Sequence, residues 1–330
     1  MCSPVQAVRI IFFSSSRSSR FLAAARPLSL AENSCLTRPF KLNVTIPPAM
    51  VWTRREFMRG LAAAGLVGVS ATSTYASLVE PRAYELTETD IPIRDLPPAF
   101  DGFRIAQVSD LHHSLIVPHA DVERIVRLTQ SLNADMIALT GDYTTARASY
   151  VEPCAELLGR LSAPAGVWAV LGNHDHYTDP ELTARALTRA RINVLNNANT
   201  TITRGNDALQ LVGIDDWSWG KSDFARALRG VDAHRPSLLL SHQPIVLDLP
   251  QTEGISLILS GHTHGGQLRL PLVGAPVRFV NEFKYLRGHY QRNGTHLYVS
   301  RGTGTVGLPI RFGARPEIAV LRLRRTPEQS

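Results

Sequence analysis

Cysteine is scarce in this chain, with three residues among 330. Cys2 and Cys35 fall in the first 50 residues, which leaves Cys154 as the single thiol of the remaining sequence. One thiol cannot build a disulfide framework or a thiolate metal cluster, so both are excluded for the body of the chain. A lone cysteine in a helical stretch is most often a small buried apolar residue, and we assign Cys154 no role.

The body of the chain also lacks a net charge, although the whole sequence carries +7. Residues 1–82 contain ten Lys/Arg and three Asp/Glu, which leaves 25 basic and 25 acidic residues in 83–330. The positive excess therefore belongs to the N-terminal segment. A neutral body offers no general electrostatic attraction for nucleic acid, which disfavours a nucleic acid partner.

A long apolar run is missing as well, and the N-terminal segment instead has the order of an export signal. Arg54 and Arg55 precede a modestly apolar run, Leu61–Val69, and small residues continue to Ala76. This Gly/Ala-rich run falls short of the about 20 apolar residues that a good membrane span requires. The alternatives to a cleaved signal are an uncleaved signal that acts as an anchor and a chance Arg pair before an Ala-rich helix.

The first 49 residues are rich in Arg and Ser and show no clear periodicity. Met50 stands directly before the export signal and is a candidate for the true start of the protein. We therefore divide the chain into an unassigned extension (1–49), an export signal (50–80) and one domain (81–330).

The body alternates short buried strands with amphipathic helices. The strand pattern of "FRIAQVSD" precedes the helical period of "HADVERIVRLTQSL", and two further strand–helix pairs follow. This alternation predicts a mainly parallel sheet with right-handed crossovers. Asp179 and Pro180 suit the N-cap and the first position of the third helix.

The second half of the chain is richer in strand. The segments "INVLNN", "TTITR" and "ALQLVGI" predict antiparallel hairpins, and "SLLLSH" and "ISLILSGH" predict two more buried strands. "HLYVSRG" and "EIAVLRLR" close the chain. We therefore predict an α/β fold, a four-layer α-β-β-α sandwich of two mixed sheets flanked by helices.

Polar side chains gather where five of the predicted strands end. They are Asp110 and His112; Asp142; Asn173, His174 and Asp175; His242; and His262 and His264. Because ligands bind beyond the carboxyl ends of strands in open α/β sheets, we expect one site at this edge. Gly141, Gly172 and Gly261 precede three of the groups, as is expected where the backbone approaches an ion closely.

Oxygen and imidazole ligands without thiolates suit Mn, Fe or Zn. Two divalent ions roughly 3.5–4 Å apart need a shared carboxylate, and such a pair can produce hydroxide near neutral pH for in-line attack on phosphorus. His262 and His264 are at i and i+2, which in an extended segment would point both imidazoles to the same side. Asp110 and His112 share that spacing, so spacing alone does not decide whether one ion or two are bound.

The motif order D-x-H, G-D, G-N-H-D, an isolated His and G-H-x-H resembles the calcineurin-like metallophosphoesterase superfamily over about residues 100–325. The resemblance implies a phosphohydrolase with two divalent metal ions. The implied ligands are, for the first metal, Asp110, His112 and His264; for the second, Asn173, His242 and His262; and for both, the bridging Asp142. His174 would stabilise the transition state or protonate the leaving oxygen, oriented by Asp175.

Three further segments resemble an exported, often membrane-associated phosphodiesterase branch that includes proteins similar to UDP-2,3-diacylglucosamine pyrophosphatases. They are "GHTHGGQLRLP", "GIDDWSWG" and "GLPIRFGARPEI". This resemblance implies a small-molecule or lipid phosphoester substrate in the periplasm or cell envelope. The Arg pair followed by Phe57 and Met58 resembles the twin-arginine consensus, which implies the export machinery for folded proteins as a partner.

Several residues beside the predicted ligands have two interpretations. His113 and His176 are either exposed loop residues, which we favour, or contacts for phosphate at the mouth of the site. Asp215 and Asp216 are either turn carboxylates or substrate contacts.

Aromatic and basic side chains further along the chain are equally open to two interpretations. Trp217 and Trp219 either pack, which we favour, or stack on a sugar, base or acyl chain. The stretch 268–287, which carries Arg269, Arg278, Lys284 and Arg287, is either a solvated hairpin or a membrane-surface contact. Arg311 and Arg315 are expected in solvated or salt-bridged positions, with phosphate contact as the alternative.

Two other functions remain open at this stage. One is a non-catalytic envelope-binding protein that uses a metal-held fold. The other is a nuclease with the same chemistry, against which the neutral body and the export signal weigh.

Overall fold

The computed structural model describes residues 52–277 and 284–326. The extension 1–49, with Cys2 and Cys35, lies outside these described residues, and so does Arg278. The chain divides after Thr53, and everything below concerns the unit that begins at Arg54.

A single long helix opens this unit. Helix α1 covers Arg54–Thr74, and a π-helical turn (Tyr75–Val79) and a 3-10 turn (Glu80–Arg82) extend it. Over residues 54–82 it is long and apolar enough to cross a membrane, by a test of length and composition that a signal sequence also passes. The apolar run Leu61–Val69 is thus part of a longer helix than the sequence indicated, and this agrees with either a signal sequence or an anchor.

The first sheet has six strands in the order β1-β12-β2-β3-β4-β5. The strands are β1 (Glu85–Ile93), β2 (Arg104–Val108), β3 (Met136–Thr140), β4 (Val167–Val170), β5 (Asn193–Val194) and β12 (Glu317–Arg325). Strands β2 to β5 are parallel as predicted, whereas β12 is antiparallel to β2 and parallel to β1. The segment "INVLNN" was expected in a hairpin but forms β5, a two-residue parallel edge strand.

The second sheet also has six strands, in the order β10-β11-β9-β8-β7-β6. The strands are β6 (Ala198–Arg204), β7 (Asp207–Gly213), β8 (Ser237–Leu240), β9 (Leu257–Ser260), β10 (Gly288–Arg292) and β11 (Thr295–Val299). Strands β6 and β7 form the predicted antiparallel hairpin, and β7, β8, β9 and β11 are parallel. Both sheets are therefore mixed, as predicted.

Three apolar clusters define the layers. Helices α2 (His119–Ser131), α3 (Val151–Leu158) and α5 (Pro180–Arg189) cover the outer face of the first sheet, and Cys154 is buried among their apolar side chains. A second cluster lies between the sheets and includes Ile105 and Leu211. A third covers the outer face of the second sheet with the short helix α6 (Phe224–Ala227). The α-β-β-α order of layers is as predicted.

The ends of the strands bring the two sheets together at one edge. Asp179 caps α5 as predicted, by accepting a bond from the amide of Leu182 (2.8 Å), and the short helix α4 (Asn173–Thr178) precedes it. The Gln107 side chain donates to the carbonyl of Ser260 (2.9 Å) and so joins the last residues of β2 and β9. The loops that follow β2, β3, β4, β8 and β9 therefore converge at this edge.

Candidate metal centre

The loops at this edge turn in left-handed backbone conformations. Asp110, His112, Asp142, His262 and His264 have φ between 52° and 71°. Such angles are uncommon for residues other than glycine and cluster at functional sites, where the surrounding structure must hold them. Here the amide of Asp110 donates to the carbonyl of Gly141 and the amide of His112 to the carbonyl of Asp142, each at 3.0 Å.

The segment that holds His262 and His264 is a turn. Thr263 has helical angles (φ −86°, ψ −12°), and His264 begins a 3-10 turn that ends at Gly266. The prediction that an extended i, i+2 spacing presents both imidazoles is therefore wrong. Instead, His262 and His264 both have positive φ, and their rings lie in two different ligand clusters.

Glycine is required before the ligands because the loops pack against one another. A Cβ at Gly141 would lie 2.7 Å from the Gly172 nitrogen and 2.8 Å from Nδ1 of His242. At Gly172 it would overlap Asp142, and at Gly261 it would overlap Asp110. Contact between the residues that carry the candidate ligands therefore excludes a side chain at these three positions.

One ligand cluster consists of Asp110, His112 and His264. Their candidate ligand atoms all lie within 4.8 Å of one another, and all three side chains are buried. The Nε2 atoms of His112 and His264 are 3.1 Å apart, and Nε2 of His264 is 3.5 Å from Oδ1 of Asp110.

A second cluster consists of Asp142, His242 and His262. Oδ2 of Asp142 is 3.2 Å from Nε2 of His242 and 3.5 Å from Nε2 of His112, so this carboxylate lies between the two clusters. Oδ1 of Asn173 is 3.1 Å from Nε2 of His242. All seven side chains predicted as ligands thus meet at one edge of the fold.

A backbone carbonyl orients His242. Its Nδ1 lies 2.7 Å from the carbonyl oxygen of Thr140, so Nδ1 must donate, and the neutral ring has its lone pair on Nε2, towards Asp142 and Asn173. A carbonyl partner on the second ring nitrogen is the usual way in which a protein fixes a metal-binding imidazole. The sequence offered no sign of this contact, because any residue at 140 supplies a carbonyl.

The electrostatics of the clusters favour bound cations. Burial lowers the pKa of His112 and His262 to about 3, so both imidazoles are neutral near pH 7. Burial also lowers the pKa of His242, but the adjacent Asp142 carboxylate outweighs it and raises that pKa to about 10. A proton on His242 thus provides positive charge among buried oxygen and nitrogen lone pairs. Divalent ions fit the same donors, which are the ligand types that Mn, Fe and Zn accept.

His174 and Asp175 do not interact as predicted. Nδ1 of His174 donates to the carbonyl of Thr145 (2.8 Å), and this bond orients the ring. The Asp175 carboxylate instead accepts bonds from the amides of Asp142, Tyr143 and Gly172, each at 2.9 Å. The prediction that Asp175 orients His174 is therefore wrong. Asp175 is fully buried and holds the loop that carries Asp142.

A cavity of about 820 Å³ opens above the clusters. Asp142, Asn173, His174, His262 and His264 line its floor. Its walls are largely apolar or aromatic and include Tyr177, Trp219, Ile245, Leu268, Val306 and Leu308. The ligand clusters therefore face a space much larger than one phosphate group.

The two histidines next to the motifs have structural partners. His113 is buried and Nδ1 donates to the carbonyl of Tyr150 (3.2 Å), so the favoured interpretation as an exposed loop residue is wrong. His176 lies 2.7 Å from Oδ1 of Asp215, and this hydrogen bond raises the pKa of His176 against the opposing effect of burial.

Asp215 and Asp216 are turn carboxylates. Asp215 accepts bonds from the amides of Asp216 (3.0 Å) and Lys221 (2.9 Å), and Asp216 from that of Trp219 (2.8 Å). They hold a loop that presents Trp219 to the cavity, with its ring centroid 4.2 Å from that of Tyr177. Trp217 instead packs against Phe224, at 6.4 Å between ring centroids.

Arg311 is the main residue whose position the sequence did not indicate. It is fully buried and donates to the carbonyls of Gly304, Ala314 and Arg301 at 2.8–2.9 Å, so the expected solvated or salt-bridged position is wrong. Its Nη2 is 3.3 Å from Nδ1 of His264. The sequence feature that could have indicated this position is the Gly-rich segment that follows β11. It ends at the same edge of the sheets, although it carries none of the candidate ligands.

The chain is similar to known phosphoesterases. Residues 103–266 match the family described as calcineurin-like phosphoesterase. The chain is 34% identical to the uncharacterised metallophosphoesterase YkuE of Bacillus subtilis, over 83% of this chain and 98% of that protein. It is 33% identical to the phosphodiesterase YaeI of Escherichia coli, over 82% of this chain and 99% of that protein. It is 27% identical to the UDP-2,3-diacylglucosamine pyrophosphatase LpxG of Chlamydia muridarum, over 78% and 94%.

Proposed function

The chain belongs to the calcineurin-like phosphoesterase family and is a hydrolase of phosphate esters, and we propose that it works with two divalent metal ions. The observation that carries the proposal is the position of Asp142, whose Oδ2 lies within 3.5 Å of imidazole nitrogens from both clusters. A carboxylate in that position suits a bridge between two cations, which would otherwise repel each other.

Each ion has a set of residues to hold it in this proposal. The first would be held by Asp110, His112 and His264, the second by Asn173, His242 and His262, and both by Asp142. When bound, the ions would supply Lewis-acid polarisation of the phosphoryl group and an acidified water molecule. The ligand types are compatible with Mn, Fe or Zn.

His174 is the candidate general acid. Because its Nδ1 donates to the carbonyl of Thr145, the ring keeps a fixed orientation, and the side chain lines the cavity floor. Nε2 is then the atom that would donate to the leaving oxygen or to the phosphoryl oxygens as charge develops there. Asp175 supports the same chemistry indirectly, by fixing the loop that carries Asp142.

The cavity walls favour a substrate with a bulky apolar or aromatic group next to the phosphorus. Tyr177, Trp219 and Leu308 offer such a group a contact surface that inorganic phosphate or a small monoester would leave unused. A phosphodiester or pyrophosphate of a lipid or a nucleotide sugar has this shape. The similarity to the phosphodiesterase YaeI and to the pyrophosphatase LpxG agrees with this substrate class.

Export completes the proposal. Arg54 and Arg55, followed by Phe57 and Met58, resemble the twin-arginine consensus, and an enzyme that gains its metals in the cytoplasm would benefit from export after folding. The substrate would then be a phosphoester of the cell envelope.

The test uses the full chain purified with its bound metals. We expect about two metal ions per chain by elemental analysis, and turnover of bis-p-nitrophenyl phosphate that exceeds turnover of p-nitrophenyl phosphate. Asp142→Asn should remove at least one ion and lower kcat by a factor of 10³ or more, because the carboxylate shared by both clusters is lost. Asp121→Asn, a surface carboxylate paired with Arg82, is the matched control.

Two outcomes would overturn the proposal in different ways. Fewer than one metal per chain, with no turnover under added Mn, Fe or Zn, would favour the non-catalytic binding function. Turnover of single-stranded DNA above that of every envelope phosphodiester would instead favour the nuclease.

A further inference from the structure

The end of the N-terminal helix is built into the folded body. The carbonyl of Ala76 accepts a bond from the amide of Arg311 (2.9 Å), and the Glu80 carboxylate accepts one from the amide of Ala314 (2.8 Å). Arg82 forms an ion pair with Asp121 (3.2 Å). Ala76 and Glu80 are buried. A cut after Ala76, where the small residues of the signal end, would remove a contact to Arg311, whose guanidinium lies 3.3 Å from the His264 ring.

The preceding turns have the composition of a bilayer span. Residues 60–79 contain no charged side chain. The α-helical part, 60–74, has no buried residue and is about 22 Å long, which covers most of the about 30 Å hydrocarbon thickness of a membrane, and the turn that contains the buried Ala76 joins it to the body. Leu61, Leu66, Val67 and Val69 are exposed, and almost none of the most apolar stretch is buried by the protein. A helix that is apolar on all sides requires an apolar environment.

The strand topology puts the helix at the same edge as the metal centre. The helix leads directly into β1, which is parallel to β12, and β12 is antiparallel to β2. The first residue of β1 therefore lies at the edge where Asp110 follows the end of β2. The bond from the amide of Glu317, at the start of β12, to the carbonyl of Gly302 shows the same placement.

An apolar rim connects the base of the helix with the mouth of the metal cavity. We define the rim as Leu78, Leu115, Ile116 and Leu308, which are all exposed. The first three line a second cavity of about 350 Å³ together with Pro309, and the neighbouring Leu308 lines the metal cavity. Exposed apolar side chains close to one another mark an interaction surface, and next to an apolar helix the fitting partner is a lipid bilayer.

We propose that residues 54–82 stay with the mature protein as a transmembrane anchor, and that the rim rests in the lipid interface with the metal cavity opening at the membrane surface. Arg54, Arg55 and Arg59 precede the span, and the positive-inside rule places them in the cytoplasm and the body on the opposite side. This proposal does not depend on the chemistry of the metal centre.

Retention of the helix is tested on the full chain with a C-terminal tag, produced in a bacterial host. We expect the intact mass to include residues 54–82 and the protein to stay in the membrane pellet after an alkaline carbonate wash. A double variant, Leu66→Arg with Val69→Arg, should release it, whereas Leu66→Ile with Val69→Ile should not. A mature N-terminus at residue 77, in a protein recovered from the soluble fraction, would overturn retention.

Contact of the rim with lipid is tested by quenching. The full chain with Cys2→Ser and Cys35→Ser receives one labelled cysteine, either Leu115→Cys in the rim or Asp95→Cys, which lies beyond the far end of β1. Nine residues of strand put that end about 30 Å from the helix. In proteoliposomes with brominated lipids we expect strong quenching at 115 and almost none at 95. Equal quenching at both positions, or none at 115 in a membrane-inserted chain, would overturn the orientation.

Discussion

At the scale of single residues, the centre depends on groups that hold ligands as much as on the ligands themselves. Asp175 accepts three backbone amides from two loops, and Thr140 and Thr145 each bind an imidazole through a carbonyl oxygen. Such partners typically change metal affinity or activity by about 10–100-fold when they are altered. The sequence motif contains Asp175 but does not reveal this role, because the donors to its carboxylate are backbone amides.

Asp175→Asn tests that role. The amide nitrogen of Asn cannot accept the bonds that one carboxylate oxygen accepts now, so the Asp142 loop should lose its fixed position. We expect metal affinity to fall about 10–100-fold while kcat at saturating metal stays within a few fold. Metal titration calorimetry with parallel kinetics is the measurement. Asp179→Asn, at the N-cap of α5, is the control. Loss of kcat that added metal does not restore would show instead that Asp175 takes part in the chemistry.

At the scale of elements, the sequence predicted most strands and the edge at which the ligands meet. It could do so because apolar runs end in polar residues and because parallel strands share one carboxyl edge. It missed β1, in which exposed and partly buried residues alternate in a polar segment, and it assigned an extended shape to the turn at His262. Left-handed backbone is enriched at Asn, Asp and His, but tertiary contacts decide which of these residues adopt it, so the sequence alone did not locate it.

The loop after β7, which carries Trp219, predicts how KM depends on the size of the substrate. Trp219→Ala should raise KM for a bulky phosphodiester by about tenfold, because an aromatic contact in the cavity wall is lost, and should leave KM for a small phosphomonoester nearly unchanged. Trp217→Ala is the matched control, since Trp217 packs against Phe224 and does not line the cavity. Steady-state kinetics on both substrates decides, and equal KM changes for the two would argue against a wall that selects the group next to phosphorus.

The hydrogen bond between His176 of α4 and Asp215 of the loop after β7 predicts that the stability of the fold depends on pH. The hydrogen bond from His176 to Asp215 raises the pKa of His176, and the same bond lowers the pKa of Asp215 although burial opposes it. The His176 contribution is complete below its unfolded pKa of about 6.5 and is lost as the pH rises through its raised folded pKa. The Asp215 contribution is complete above about pH 3.9 and is lost as the pH falls through its lowered folded pKa.

His176→Gln should therefore lower the free energy of unfolding most near pH 5 to 6 and least near pH 9. We expect a difference in the free energy of unfolding of about 1.5–3 kcal/mol at the lower pH, the size of a hydrogen bond to a charged group. Urea unfolding of both proteins at pH 5.5 and 9 measures it. His119→Gln, at the first residue of α2, serves as the control, and a cost that grows with pH would contradict the assigned direction.

At the scale of the whole molecule, the candidate metal centre takes its side chains from both sheets. Asp110, His112 and Asp142 follow strands of the first sheet, and His242 and His262 follow strands of the second. Ions held by both sets would therefore stabilise the packing of one sheet on the other as well as the loops. From the sequence, only the order of the motifs could be predicted. The assignment of each motif to one of the two sheets could not, because it depends on strand pairings between distant segments.

Removal of the metals should thus lower global stability. At a free metal concentration about 1,000 times Kd, the bound form gains about 4 kcal/mol, which for a domain of this size corresponds to a fall in Tm of roughly 8–16 °C on chelation. Calorimetry of the metal-loaded and chelated protein gives the two values, and Mn or Zn added back should restore the higher one. Asp142→Asn should show a much smaller difference, because its clusters no longer share a carboxylate, whereas Asp121→Asn should match the wild type. An unchanged Tm after complete chelation would mean that the ions bind to a centre that the protein alone already holds together, and that the two sheets do not depend on them.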